Sequence, residues 1–157
     1  QAGLNKTIPV FGPAFSFDER LLSAVGAAAL GVKNGSQWTH DLDVPANRQF
    51  VTAFREAYGR TPTLYASQGY EAARLIGSAL KSVEGDVSKL DALRAALRKA
   101  DFESVRGDFA FAANQHPVQN LYIREVVEDG LGGYTNKTLK AVFTAHSNAY
   151  VDACKMD

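Results

Sequence analysis

Between residues 46 and 83 apolar positions recur every three to four residues, and a Gly-Arg-Thr-Pro break at 59–62 divides the run into two amphipathic helices. Over 46–58, Phe50, Ala53, Phe54, Ala57 and Tyr58 fall on one side, with Arg48, Arg55 and Glu56 opposite. Over 63–83, Tyr65, Gly69, Ala72, Ala73, Ile76 and Leu80 form a stripe of mostly small residues. Such a stripe predicts close packing against a neighbouring element. It leaves Tyr65 to project past that surface, near the exposed backbone N–H groups of the helix start. A third helix is predicted over 88–100, with Leu90, Leu93 and Leu97 facing away from Asp91, Arg94 and Arg98.

Outside this helical stretch the pattern shortens. Residues 8–11 are a brief apolar run closed by Gly12-Pro13, which reads as a buried strand of a parallel sheet. Ser16 or Asp18 can cap a short helix that runs to Val25 and ends at Gly26. The small residues of 27–32 then suggest a second strand covered on both faces. Lys33-Asn34-Gly35-Ser36 breaks the pattern, and 38–44 is irregular, charged and bounded by Pro45. After residue 104 the period is two: Val105, Phe109 and Phe111 alternate with Arg106, Asp108 and Ala110. Leu121, Ile123 and Val127 likewise alternate with Tyr122, Arg124 and Val126. The turn residues of 114–117 predict an antiparallel excursion between these strands. A Gly-rich loop at 130–133, a strand at 139–143 and a short helix or tail complete the chain, without internal repeats.

Composition adds bounds. At 157 residues and 46% hydrophobic, the chain can bury one core. Seventeen basic and 17 acidic residues balance to +0, which removes the electrostatic basis for a nucleic-acid or anionic-membrane partner. No stretch resembles a transmembrane span or signal peptide. Residues 1–6 read as the tail of a helix ended by Gly3, which predicts an N-terminus further upstream.

Little here suggests catalysis. His40, His116 and His146 are far apart, and a single Cys154 supports neither a metal site nor a disulfide framework, so no metal or cofactor is expected. Cys154 is either a small residue near a terminus or one half of a pair whose partner lies upstream. Asp18 with Glu19, and Asp41 with Asp43, read as solvated or capping carboxylates, because nothing around them suggests the apolar pocket that raises a catalytic pKa. The Gly-Leu-Gly-Gly of 130–133 precedes no phosphate-cradling turn, and no Gly-x-Ser-x-Gly elbow exists. Asn5, Asn34 and Asn136 each open an N-x-S/T triplet, a pattern frequent by chance.

Gly3-Leu4, the run Ile8-Pro9-Val10-Phe11-Gly12-Pro13, residues 26–32, the helix pair, Gly107-Asp108-Phe109 and Leu121-Tyr122-Ile123 stand in an order that resembles the C-terminal portion of type I periplasmic solute-binding proteins of ABC importers. The resemblance is to the leucine/isoleucine/valine- and aromatic-compound-binding group. It implies an α/β fold, with parts of two doubly wound three-layer lobes. Residues 1–36 and 137–157 would belong to one lobe and 42–127 to the other, with crossings near 36–42 and 128–137 and a hinge at Gly35, Ser36 and Trp38.

The resemblance also implies a non-enzymatic, periplasmic protein that closes on a small molecule and delivers it to a membrane permease. Its ligand-binding residues here would be Ala14, Phe15, Tyr65 and Gln68, at the carboxyl ends of strands. In amino-acid-binding relatives an acid directly after Gly-Pro pairs with the ligand ammonium. Ala14 stands at that position, and a buried ammonium without a partner is costly. Phe15 and Tyr65 favour instead a flat organic acid, an aromatic carboxylate. Tyr65 could equally pack at its helix start, and Gln68 could be merely solvated. An amino-acid binder, the sensing domain of a receptor and a flavodoxin-like enzyme are the other readings. Parts of two lobes leave strand edges bare, so the chain is expected to pair with the N-terminal portion or with a second copy of itself.

Overall fold

The computed structural model describes residues 7–154. The helix tail predicted at residues 1–6, and the triplet at Asn5, lie outside the described residues.

Four helices form where sequence chemistry places them. α1 (Glu19–Val25) starts at Asp18, whose Oδ1 accepts from the Arg20 N–H at 3.3 Å, and stops at Gly26 with φ 64°. α2 (Pro45–Tyr58) has Pro at its first position and ends at Gly59 in the left-handed region. α3 (Leu64–Ser82) is capped by Thr63, whose Oγ1 accepts from the Ala66 N–H at 3.1 Å. α4 (Leu90–Lys99) turns Leu93 and Leu97 inward and leaves Asp91, Arg94 and Arg98 exposed.

The strands are β1 (Phe11–Pro13), β2 (Lys33–Ser36), β3 (Ala110–Phe111), β4 (Pro117–Glu128) and β5 (Tyr134–His146). β1 and β2 run parallel, and every other pairing is antiparallel. β4 organises the sheet: it pairs with β3 at Pro117 and Val118, with β2 from Tyr122 to Glu125, and with β5 from Gln119 to Glu128. The hairpin predicted at 114–117 forms, closed by the Ala112 N–H donating to the His116 carbonyl at 2.9 Å.

Four expectations are corrected. The first strand begins at Phe11, not at residue 8, and is not buried. Ile8 and Phe11 are 55% and 68% exposed, because β1 is the sheet's outer strand, with β2 as its one partner among the described residues. Residues 26–29 form a 3-10 turn, since alanines lack the branched side chains that favour a pleat. The strand is instead Lys33–Ser36, the segment expected to break the pattern. On α3 the small stripe is outside: Gly69, Ala72, Ala73 and Ile76 are exposed, and Leu64, Ser67, Glu71 and Ala79 face inward. On β4 the period of two holds, but the buried face is Tyr122, Arg124 and Val126, one residue out of phase with the expected apolar set.

The last two reversals have one cause. A charged residue goes inside when a partner is waiting there. Glu71 of α3 meets Arg106 at 2.5 Å and accepts from the Ser104 hydroxyl, which joins α3 to the segment before β3. Arg106 also lies over the Phe109 ring at 4.5 Å and donates to Gln119.

The buried apolar residues gather in two clusters. Ala14, Trp38, Leu42, Phe50, Val51, Leu64, Val105 and Tyr122 form the larger, where α2, α3 and the segment before them meet. Leu22, Ala29, Val32 and Val126 form the smaller, beneath α1.

Candidate ligand-binding site

The segment after β1 and the start of α3 meet at one carboxylate. Asp18 is 5% exposed, and its Oδ2 accepts from the Leu64 backbone N–H at 2.8 Å while Oδ1 caps α1. One aspartate thereby satisfies orphan donors of two helices. Its neighbour Ala14 is 5% exposed and packs in the same cluster as Leu64 and Trp38. The loop is tight on the other side as well: a Cβ at Gly12 would come 2.5 Å from the Phe17 ring, so only glycine lets that ring close over the strand end.

Of the four residues expected to line a site, three are at the surface of this junction. Phe15 and Tyr65 are 56% and 62% exposed, rings held out of the core by the two segments that Asp18 joins, and Gln68 is exposed one turn beyond Tyr65. Ala14 is beneath them, without open surface of its own. Each of the two segments joined at Asp18 thus carries one exposed ring, and α3 adds an exposed amide. Both oxygens of the Asp18 carboxylate already accept a backbone N–H.

Behind the junction lies a buried polar network that sequence reasoning missed. Arg124, 1% exposed, donates through Nε to Asn34 Oδ1 at 2.8 Å and through Nη2 to the Ala14 carbonyl at 3.5 Å. Asn34 Nδ2 donates to Asn136 Oδ1 at 2.8 Å, and Asn136 Nδ2 donates onward to the Phe17 carbonyl at 2.8 Å and Glu19 Oε1 at 2.9 Å. Glu19 also accepts from the Asn136 N–H and the Thr135 hydroxyl, each at 3.0 Å, and lies 3.6 Å from His40 Nε2. Burial pulls the Arg124 pKa down, opposed by the charges of Glu19, Asp18 and Asp41. The network fixes the Ala14–Phe17 turn from behind, through β2, β4 and β5.

The residues expected to hinge have distinct places. Gly35 is exposed in β2 opposite Ile123, and Ser36 is buried opposite Tyr122. Trp38, 1% exposed, donates from Nε1 to Asn47 Oδ1 at 2.7 Å and meets Phe50 edge-on. Asn47 Nδ2 in turn reaches the carbonyls of Thr39, His40 and Leu42 at 3.1–3.2 Å, so irregular chain is tied to α2 by side chains in place of a ladder. Asp41 accepts from the Thr138 N–H at 2.9 Å and hydroxyl at 2.6 Å, and from Thr39. Burial would raise the Asp41 pKa, but these hydrogen bonds and the charge of His40 outweigh it, and the net shift is downward.

No local signal marked the two amides of this network as buried partners. Asn34 and Asn136 stood out only as openers of N-x-S/T triplets, yet they bond each other across 102 residues. Cys154 is exposed and unpaired among the described residues. No described helix is long and apolar enough to cross a membrane, and no three described His, Cys, Asp or Glu residues cluster as metal ligands.

Comparison with known proteins bears on this geometry. A family model described as periplasmic binding protein matches residues 1–131. A Leu/Ile/Val-binding protein homolog 6 from Brucella abortus is 33% identical over 138 residues, covering 85% of this chain and 35% of that protein. A solute-binding protein of an ABC transporter from R. palustris, solved in complex with benzoate, superposes with a TM-score of 0.85 at 37% identity. It covers 99% of this chain and 41% of its own. Another, from Rhodopseudomonas palustris BisB5 in complex with 3,4-dihydroxy benzoic acid, gives 0.81 at 33% identity over 94% of this chain and 40% of that one. The chain thus spans 35% of the length of that curated relative and about two fifths of those solved proteins.

Proposed function

The chain belongs to the periplasmic binding protein family, and from that premise we propose that it forms part of the solute-binding component of an ABC importer, selective for an aromatic carboxylate. The observation that carries this reading is the junction at Asp18. Two exposed rings, Phe15 and Tyr65, rise from the segments it joins, while the Asp18 carboxylate between those segments is buried and already accepts two backbone N–H groups. Aromatic faces bind a flat ring by offset or edge contact, and a site without a free acid penalises a zwitterion. Similarity to proteins solved with benzoate and 3,4-dihydroxy benzoic acid supports the same ligand class.

In this reading the chain contributes to both lobes, residues 1–36 and 137–157 to one and 42–127 to the other. Most of the larger apolar cluster is drawn from 42–127 and most of the smaller from 1–36, with Ala14 and Val126 packed across. Crossings near 36–42 and 128–137, with Gly35, Ser36 and Trp38 at the hinge, let the lobes close over the ligand and present a surface to the membrane permease outside the cytoplasm. The ligand carboxylate is held mainly by parts of the protein beyond this chain, which also cover its bare strand edges unless a second copy does so.

Similarity to a Leu/Ile/Val-binding homolog favours a second reading, an amino-acid binder. Thermal-shift titration of the protein with benzoate, 3,4-dihydroxybenzoate and leucine separates the two. Stabilisation by the benzoates alone is expected. Stabilisation by leucine alone overturns the aromatic reading.

A further inference from the structure

A cleft of about 910 Å³ opens between α1, the end of α2 with its following loop, and the β4–β5 turn, and it includes none of the four residues assigned above to the ligand. Arg20 of α1, Arg55 of α2 and Arg60 of the loop line it, against an apolar side of Leu131 and Tyr134. All three arginines are exposed, and none forms an ion pair among the described residues. Elsewhere on the surface, Arg48, Arg74 and Arg94 each face a carboxylate: Asp43, Glu103 and Asp91.

The acids of the cleft are already committed. Glu19 is taken up by Asn136, Thr135 and His40. Asp129 accepts from the Leu131 and Gly133 N–H groups at 2.7 and 2.9 Å within its own turn. The guanidiniums keep most of their donors: Arg55 uses one on Thr61 at 3.2 Å, and Arg60 stacks on Phe54 at 5.1 Å, a contact that orders the fork without consuming it. Three planar forks with spare donors, lining one cleft from α1, α2 and the loop after it beside acids that are already hydrogen-bonded, suit an oxyanion.

We propose that this cleft binds a small polyanion, a polycarboxylate or a phosphate, through Arg20, Arg55 and Arg60. The site is separate from the one that carries the proposed transport function, and an anion in it bridges α1 to the α2–α3 loop and the β4–β5 turn.

The test is calorimetric titration of the protein with citrate and, separately, with inorganic phosphate, on three forms: unaltered, R20Q/R55Q/R60Q, and R48Q/R74Q/R94Q, which removes the same charge elsewhere. All six arginines are exposed, so folding is spared. The expected result is saturable binding of one anion that weakens about tenfold or more in R20Q/R55Q/R60Q and changes little in R48Q/R74Q/R94Q. Citrate binding identifies a carboxylate ligand, and phosphate binding a phosphate one. Failure of both anions to bind the unaltered protein overturns the proposal, as does equal weakening in the two triple variants. Benzoate titration of R20Q/R55Q/R60Q, which lacks the three forks, reads the aromatic site apart from the cleft, so either inference can fail alone.

Discussion

Leu64 donates its backbone N–H to the carboxylate of Asp18 at 2.8 Å, a buried bond that closes 46 residues of chain. The same carboxylate caps α1, so Asp18→Ala removes a cap and strands a buried N–H at once. The expected loss is about 2–4 kcal/mol. Asp18→Asn keeps one acceptor oxygen and should lose about half as much. Urea unfolding of the three proteins measures this, and an Asp18→Ala loss no larger than that of an ordinary surface change rules it out.

Arg124 tests the network behind the site. Its guanidinium is buried and shared between Asn34 and the Ala14 carbonyl. Truncation to Ala leaves Asn34 Oδ1 without its donor and opens a cavity, with an expected cost of about 3 kcal/mol or more. Arg124→Lys supplies a point charge where a planar fork is needed and should recover only part of that loss. Full recovery of the melting temperature by Lys would mean that charge alone, not geometry, is required.

These two residues also mark where sequence reasoning reached and where it stopped. Local signals were sufficient for α1 to α3: Asp18, Pro45, Thr63, Gly26 and Gly59 are end residues whose chemistry acts within a few residues. The order of short motifs around Gly12-Pro13 and Leu121-Tyr122-Ile123 resembled the family that the family model then matched. Facing was not legible. Whether Arg124 or Ile123 points inward depends on Asn34, 90 residues away, and whether Glu71 can be buried depends on Arg106. Hydrophobicity alone inverts such positions, because a paired charge behaves as an interior residue and leaves an apolar neighbour outside. The strand at 33–36 was missed for the same reason: Asn34 and Ser36 look like turn residues until their partners are known. Phe15 and Tyr65 were named from sequence, and the bond that brings their segments together was not.

The aromatic rim is open to direct test. Tyr65 is 62% exposed, so Tyr65→Ala should leave stability within about 0.5 kcal/mol. It should weaken benzoate binding about tenfold through loss of one aromatic contact. Phe15→Ala should act likewise. Ala14→Asp differs in kind, because position 14 is buried: the new carboxylate should cost about 1–3 kcal/mol and repel a bound carboxylate. Titration calorimetry with benzoate reads all three. Unchanged affinity in both aromatic variants would remove these rings from the site.

Acid should release the contact between Asp41 and β5. The folded-state pKa of Asp41 is depressed by hydrogen bonds from Thr138 and Thr39 and by the charge of His40, which together outweigh burial. A depressed carboxylate pKa means that the unfolded chain binds the proton more tightly. The stabilisation is therefore fully present above the unfolded value near pH 4 and lost as pH falls through the lower folded value. Asp41→Asn mimics the protonated state. It should be less stable than the unaltered protein at pH 7, and the difference should shrink as pH falls below about 4. Melting temperatures of both proteins from pH 7 to 2.5 decide the matter, since a pH-independent gap would mean that the proton on Asp41 has no part in holding residues 39–41 to Thr138.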